Sequence, residues 1–401
     1  MNRNLKIPFF FLFLLASACF DEKDITSVQS ESFMKYYNNY PVFTGADAKQ
    51  TSGQGYALIG TVENTDGTTS ICLIRTDEYG NLLDSARYYG RGMNARAYCL
   101  QVLSNGDLAM LGSSVNTTSS KREVYFILTN SAGNIKWTRT IASTGTNIEA
   151  KHFEVDLNGS FIMTGYAEYS ATNSDKQILV AALNENGDPL FWSPRKFGVD
   201  SKNDEGQHLQ IISDGSYVIT GTTWNDPSNI SHAFIMKVNT SGGSPGFFTL
   251  PSSINETGNC IRALDDNHFL VAGTVGSSSS VTGTDIMLKR VSLIDFELTS
   301  QWEKTFGGAG NDFGQCLLTE NGAIQVLATT ATTGINSAIS LIVTDSQGNN
   351  PKYRTFGLGT QLSASSLENT SEGGFIISGT NKLSDNSISF TLIKTRSDGS
   401  M

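Results

Sequence analysis

Two cysteines and two histidines stand at matching places in this chain: Cys99, His152, His208 and Cys260 each precede a glycine by thirteen residues, the glycines being Gly112, Gly165, Gly221 and Gly273. The same spacing sets Asp47 before Gly60, Gln315 before Ala328 and Ser366 before Gly379. Two residues further on come Lys49, Gln101, Glu154, Gln210, Arg262, Leu317 and Glu368, with largely apolar neighbours such as Leu100, Val102, Leu209 and Ile211. In an extended strand alternate side chains share a face. Lys49, Gln101, Glu154, Gln210, Arg262, Glu368, His152 and His208 are therefore expected to line one polar surface. Thiolate and imidazole are zinc ligands, but a zinc site gathers its donors at about 2.0–2.3 Å from one ion. Residues spread over four successive repeats are poorly disposed to converge so closely. No metal and no cofactor is expected, and the polar face reads as the wall of a water-filled channel. Cys260 and Cys316, on adjacent repeats, could pair in an oxidising compartment, although their spacing to the marker differs by one residue.

Other catalytic signatures are missing. The chain has no G-x-S-x-G elbow, no H-E-x-x-H pair and no phosphate loop. What remains is a set of residues suited to binding: Tyr166, Tyr169, Trp224, Asn225, Asp226 and Asp204, in segments expected to be loops. Aromatic rings beside Asp and Asn offer an apolar face with a polar rim, which suits a sugar or a peptide. An enzyme on a polysaccharide or peptide is the competing expectation. It would use carboxylates such as Asp204, Glu205 and Asp226, and two of them would have to stand about 5–10 Å apart across a cleft.

The elements that position these residues follow from a recurring phrase. Gly374-Phe375-Ile376-Ile377-Ser378-Gly379-Thr380 is one copy, and Tyr56 to Thr61 and Tyr217 to Thr222 are others. The closing glycine, or Ala328 in one copy, returns at intervals of 51 to 56 residues. Each repeat reads as four short strands. In the sixth these are Gln315 to Thr319, Ile324 to Thr329, Ile339 to Thr344 and a strand ending at Phe356, parted by Asn-Gly and Gly-Asn turns. Four-stranded sheets that cannot bury their own faces, repeated seven times, predict a seven-bladed β-propeller. The last repeat lacks its fourth strand, and Tyr40 to Gly45 is expected to supply it and close the ring. Trp137, Trp192 and Trp302 fall at equivalent fourth-strand positions and read as blade packing. The tight turns share one end of the ring. The longer connections, among them Tyr166 to Lys176 and Gly198 to Gly206, share the other, where variable loops on a rigid frame usually carry function.

Composition sets outer limits. A balance of 38 acidic against 28 basic residues disfavours nucleic acid and anionic lipid surfaces as non-specific partners. Five cysteines are too few for a disulfide-built scaffold. At the N-terminus Arg3 and Lys6 precede an apolar run, Ile7 to Leu15, too short to span a bilayer, and then Ala16-Ser17-Ala18 and Cys19. Leu15 to Cys19 resembles the bacterial lipobox. Phe20-Asp21-Glu22-Lys23-Asp24 looks like the signal that sends Bacteroidota lipoproteins to the cell surface. That resemblance implies a signal peptide over 1–18, lipidation of Cys19, an acidic tether over 19–33, and an outer-membrane address facing outward. Ser131 to Trp137 and Leu298 to Gly308 resemble the repeats of bacterial β-propeller proteins, and the likeness spans 34–401. It implies a fold and no activity. The function expected is a non-enzymatic module that binds, through its long-loop end, a protein of an outer-membrane assembly or a glycan.

Overall fold

The recurring glycine phrase forms the second strand of each sheet in the computed structural model, which describes residues 32–38, 43–170, 172–198, 202–224, 230–243, 246–276, 283–331, 336–357, 361–383 and 387–401. Among those residues every regular element is a strand. Five four-stranded antiparallel sheets follow in chain order, beginning at Phe43–Gln50, Arg96–Val102, Ile148–Val155, Asp204–Ile211 and Glu256–Ala263, and are called sheets 1 to 5. Sheet 6 has eight strands. Its first half starts at Phe313–Glu320 and its second at Gln361–Asn369, joined by a parallel bridge between Ser337 and Gln361.

The marker glycine is explained by a bulge. Each first strand slips register by one residue opposite that glycine: between Gly206 and His208 in sheet 4, and between Gly258 and Cys260 in sheet 5. The bulge drives the first-strand backbone against the second strand. A Cβ on Gly221 would collide with the Glu205 carbonyl oxygen, and one on Gly273 with that of Thr257. Ala328 departs from the rule where, among the described residues, a first strand is joined to its second by a two-residue turn, Asn321-Gly322, both at positive φ. That turn shortens the hairpin by one residue. The bulge therefore falls at Gln315, and Cys316, not Gln315, is the partner in register of Asp47, Cys99, His152, His208, Cys260 and Ser366. Leu318 likewise takes the place expected of Leu317.

Apolar clusters fill the space between neighbouring sheets. One of them unites Tyr37, Ile376, Phe390 and Leu392 with Ala48, Tyr56, Leu58 and Cys72 of sheet 1. A second device repeats at the outer edge, where an aromatic side chain of one sheet covers the turn glycine of the next. Trp137 lies on Gly187, Trp192 on Gly242 and Trp302 on Gly348. The Tyr89 hydroxyl donates to the Gly133 carbonyl at 2.7 Å, and that of Tyr37 to the Gly80 carbonyl at 2.8 Å. Trp192 does so from the turn ahead of the strand Arg195–Phe197, not from a strand.

The strand beside Ile388–Lys394 is Phe33–Tyr37, antiparallel to it, and not Tyr40 to Gly45. Residues 43–45 instead open the first strand of sheet 1, and 40–42 lie outside the described residues. The compact unit that holds the sheets begins at Glu31. Cys19 and the rest of the expected signal and tether lie outside the described residues up to position 31.

Candidate functional site

The first strands enclose a cavity of about 370 Å³ walled only by their own side chains. Two tiers of it follow from the bulge. The inserted residues, among them Tyr98, Lys151, Gln207, Asn259 and Gln315, form the tier nearer the long-connection end. The next tier holds Asp47, Cys99, His152, His208, Cys316 and Ser366. Of the residues expected to line a channel, Lys49, His152, His208, Arg262 and Glu368 meet here. Gln101 and Glu154 border a separate cavity of about 680 Å³ on the tight-turn side, between sheets 2 and 3. Gln210 is engaged across a seam, its Oε1 accepting from the Ala263 amide at 2.7 Å.

Alternation alone does not account for this tier. A first strand is an edge strand whose outward amides have no ladder partner. The neighbouring sheet's side chains supply one: Asp47 Oδ2 accepts from Leu100 N at 2.9 Å, His152 Nδ1 from Leu209 N at 3.4 Å, and Ser366 Oγ from Ala48 N at 3.2 Å. Cys260 Sγ takes the Leu317 amide at 3.3 Å. The polar residue types at the marker spacing are thus seam acceptors as well as cavity wall. That role has no one-dimensional signature.

Lys49 is ion-paired in the cavity, whereas Arg262 Nε donates to the Leu317 carbonyl at 3.1 Å. Lys49 Nζ stands 2.6 Å from Glu368 Oε2 and 4.0 Å from Asp47 Oδ1. Burial opposes its charge, but those carboxylates hold the ammonium above its ordinary pKa. Burial raises the carboxyls of Asp47 and Glu154. His152 and His208 stack with ring centroids 3.8 Å apart. Burial holds both imidazoles well below their ordinary value, and the cations Lys49 and Arg262 add to it. Among the described residues no three His, Cys, Asp or Glu side chains are disposed to hold a metal ion.

Around the mouth, sheets 2 to 4 carry a fixed set of rings and charges. Glu149 accepts the hydroxyls of Tyr98 and Tyr166, the latter at 2.5 Å. Lys151 Nζ lies 4.1 Å from the Tyr98 ring centre, and Lys176 Nζ lies 4.2 Å from that of Tyr166 and 2.6 Å from Glu205. Despite burial, Lys151 and the two phenols keep the Glu149 carboxyl below the usual carboxylate range.

This arrangement revises the expected loop residues. Tyr166 to Lys176 is not a loop: Phe161–Ser170 and Asn173–Leu183 are long paired strands, and Tyr166, on the first of them, is buried. Asp204 opens the first strand of sheet 4 and is fully buried. Tyr169 is exposed, and Trp224 directly follows the strand Tyr217–Thr223, its amide on the Asn203 carbonyl. Asn225 and Asp226 lie outside the described residues.

No known protein family matches the chain, and no curated protein does. Solved structures do. The β-propeller domain of the Trilobed protease from Pyrococcus furiosus, described as having an open velcro topology, aligns over 89% of this chain and 94% of its own, at 9% identity and TM-score 0.51. The WD40 domain of Neurospora crassa Pan2 aligns over 87% of this chain and 88% of its own, at 8% identity and TM-score 0.54. The Pyrococcus horikoshii acylaminoacyl peptidase covers 87% of this chain at 10% identity and TM-score 0.50, but the chain spans only 51% of that protein. At such identities the likeness defines a fold alone, the β-propeller, which carries enzymes and non-enzymes alike.

Proposed function

We propose that the chain is a seven-bladed propeller, closed where Phe33–Tyr37 completes the last blade, that binds a protein partner through its long-connection end while tethered to the outer membrane by a lipidated Cys19. Closure is supported by the apolar cluster shared by the last half-sheet and sheet 1, by the Tyr37–Gly80 contact that repeats the Tyr89–Gly133 one, and by the Lys49–Glu368 ion pair. The observation that carries the binding role is the preset group of the partly exposed Tyr98, Lys151 and Lys176 near the cavity mouth, held in place by the buried Glu149 and Tyr166. A glycan needs an open aromatic face to stack on. Here lysines lie over the rings of Tyr98 and Tyr166, so the charges of Lys151, Lys176 and Glu205 are what the mouth offers, and they suit a charged protein surface. The glycan reading rests on Tyr169 and Trp224. The enzyme reading is weakened by the burial of Asp204 and by the ion pair that occupies Glu205.

The test is purification of the full chain from detergent-solubilised outer membrane. One stoichiometric membrane partner is expected, lost on Lys151→Glu with Lys176→Glu. Recovery of no partner, together with retention on a polysaccharide column that Tyr169→Ala abolishes, would replace it with glycan capture. Cys19→Ser is expected to release the chain from the membrane, and protease treatment of intact cells to destroy it.

A further inference from the structure

We propose that Cys260 and Cys316 are an oxidisable pair that forms a disulfide across the seam between sheet 5 and sheet 6. The two sulfurs lie 3.7 Å apart. They stand at equivalent first-strand positions once the one-residue shift of the short hairpin is counted, each just past its bulge. A disulfide needs its sulfurs at about 2.05 Å, a closure of under 2 Å that side-chain rotation on two facing strands can supply. Cys72 and Cys99 lie elsewhere, Cys72 in the cluster between the last half-sheet and sheet 1, Cys99 with its thiol toward the Phe153 carbonyl.

The two thiols are not equivalent. Cys260 is fully buried, whereas Cys316 is half-buried and lines the axial cavity. The hydrogen bond from Cys260 brings the Cys316 thiol down to about 7, with Arg262 and Lys49 favouring its charge and burial opposing it. Cys316 is then the nucleophile. With a small-molecule disulfide such as oxidised glutathione entering the cavity, the Cys316 thiolate attacks one sulfur and expels the other as a thiolate, leaving a mixed disulfide. Cys260, whose thiol is pushed well up by burial, passes its proton to the departing sulfur as it attacks Cys316 Sγ, and the second group leaves as a thiol. Two protein thiols are oxidised and one disulfide is reduced to two thiols. The bond links residues 56 apart in sequence, so it restricts the unfolded chain and raises the thermal midpoint by about 5 °C.

The experiment treats the purified full chain with oxidised glutathione, quenches with acid, alkylates remaining thiols and maps non-reduced peptides by mass spectrometry. A linked Cys260–Cys316 peptide is expected, with Cys72 and Cys99 alkylated, the midpoint raised, and both effects reversed by dithiothreitol. Cys260→Ser is expected to hold glutathione on Cys316 and form no cross-link. Alkylated Cys260 and Cys316 in the treated wild type, a persistent glutathione adduct on wild-type Cys316, or a cross-link to another cysteine would overturn the proposal. The wild-type map decides the matter even where the variant fails to fold.

Discussion

His152 and His208 face each other across the seam between sheets 3 and 4, stacked and held neutral by burial. Their folded pKa values lie below the unfolded one, so the unfolded chain binds more protons once the pH drops below about 6.5. Stability is then full above that pH and falls as the pH is lowered toward the folded values, by up to about 1.4 kcal/mol per pH unit for each imidazole. Asp47, Glu154 and Glu256 act in the opposite sense, because burial raises their carboxyls and protonation relieves that penalty. Urea midpoints between pH 7.5 and 5.0 are expected to fall for the wild type and to flatten for His152→Gln with His208→Gln. An unchanged slope in the double variant would remove the imidazoles from the account. At this scale the sequence was legible in register: the marker spacing collected Asp47, His152, His208 and Cys260, which all stand just past a bulge. It missed Cys316 by one place, because a fixed offset cannot register a turn one residue shorter. It also missed Tyr98, Lys151 and the other bulge residues, since strict alternation has no place for an inserted residue.

The second strand with its glycine was the most readable element, because outside the short hairpin of Ala328 a Cβ there would collide with the first-strand backbone at the bulge. Gly221→Ala is expected to destabilise the fold by roughly 2–3 kcal/mol through overpacking. Ala328→Gly, where the short hairpin already accommodates a methyl group, should cost about 1 kcal/mol or less. Chemical denaturation of the two variants checks the contrast, and equal costs would mean that the bulge does not demand glycine. Asn-Gly and Asp-x-x-Gly turns marked strand ends well, Asn321-Gly322 among them. Tyr166 to Lys176 misled because its polar run reads as a loop, whereas the hairpin Phe161–Ser170 with Asn173–Leu183 continues past the body of its sheet and satisfies those polar groups through pairing.

For the whole molecule, the repeat made the fold class readable, and the strand beside Ile388–Lys394 was misread because Tyr40 to Gly45 resembles a fourth strand in composition. Tyr37 tests closure directly. Tyr37→Ala at the seam between the last half-sheet and sheet 1, and Tyr89→Ala at the seam between sheets 1 and 2, each delete a buried ring and a hydroxyl held by a turn carbonyl. Each is expected to cost about 3–5 kcal/mol. A negligible cost for Tyr37→Ala alone would point to a ring that stands open there. The seam hydrogen bonds carry one more consequence. The amides of Leu100, Leu209 and Leu317 are held by a side chain of the adjacent sheet and not by a strand ladder. Parting two sheets frees such an amide to exchange with solvent deuterium while both sheets stay folded. The protein thus contains, at three of its seams, its own reporters of breathing between sheets.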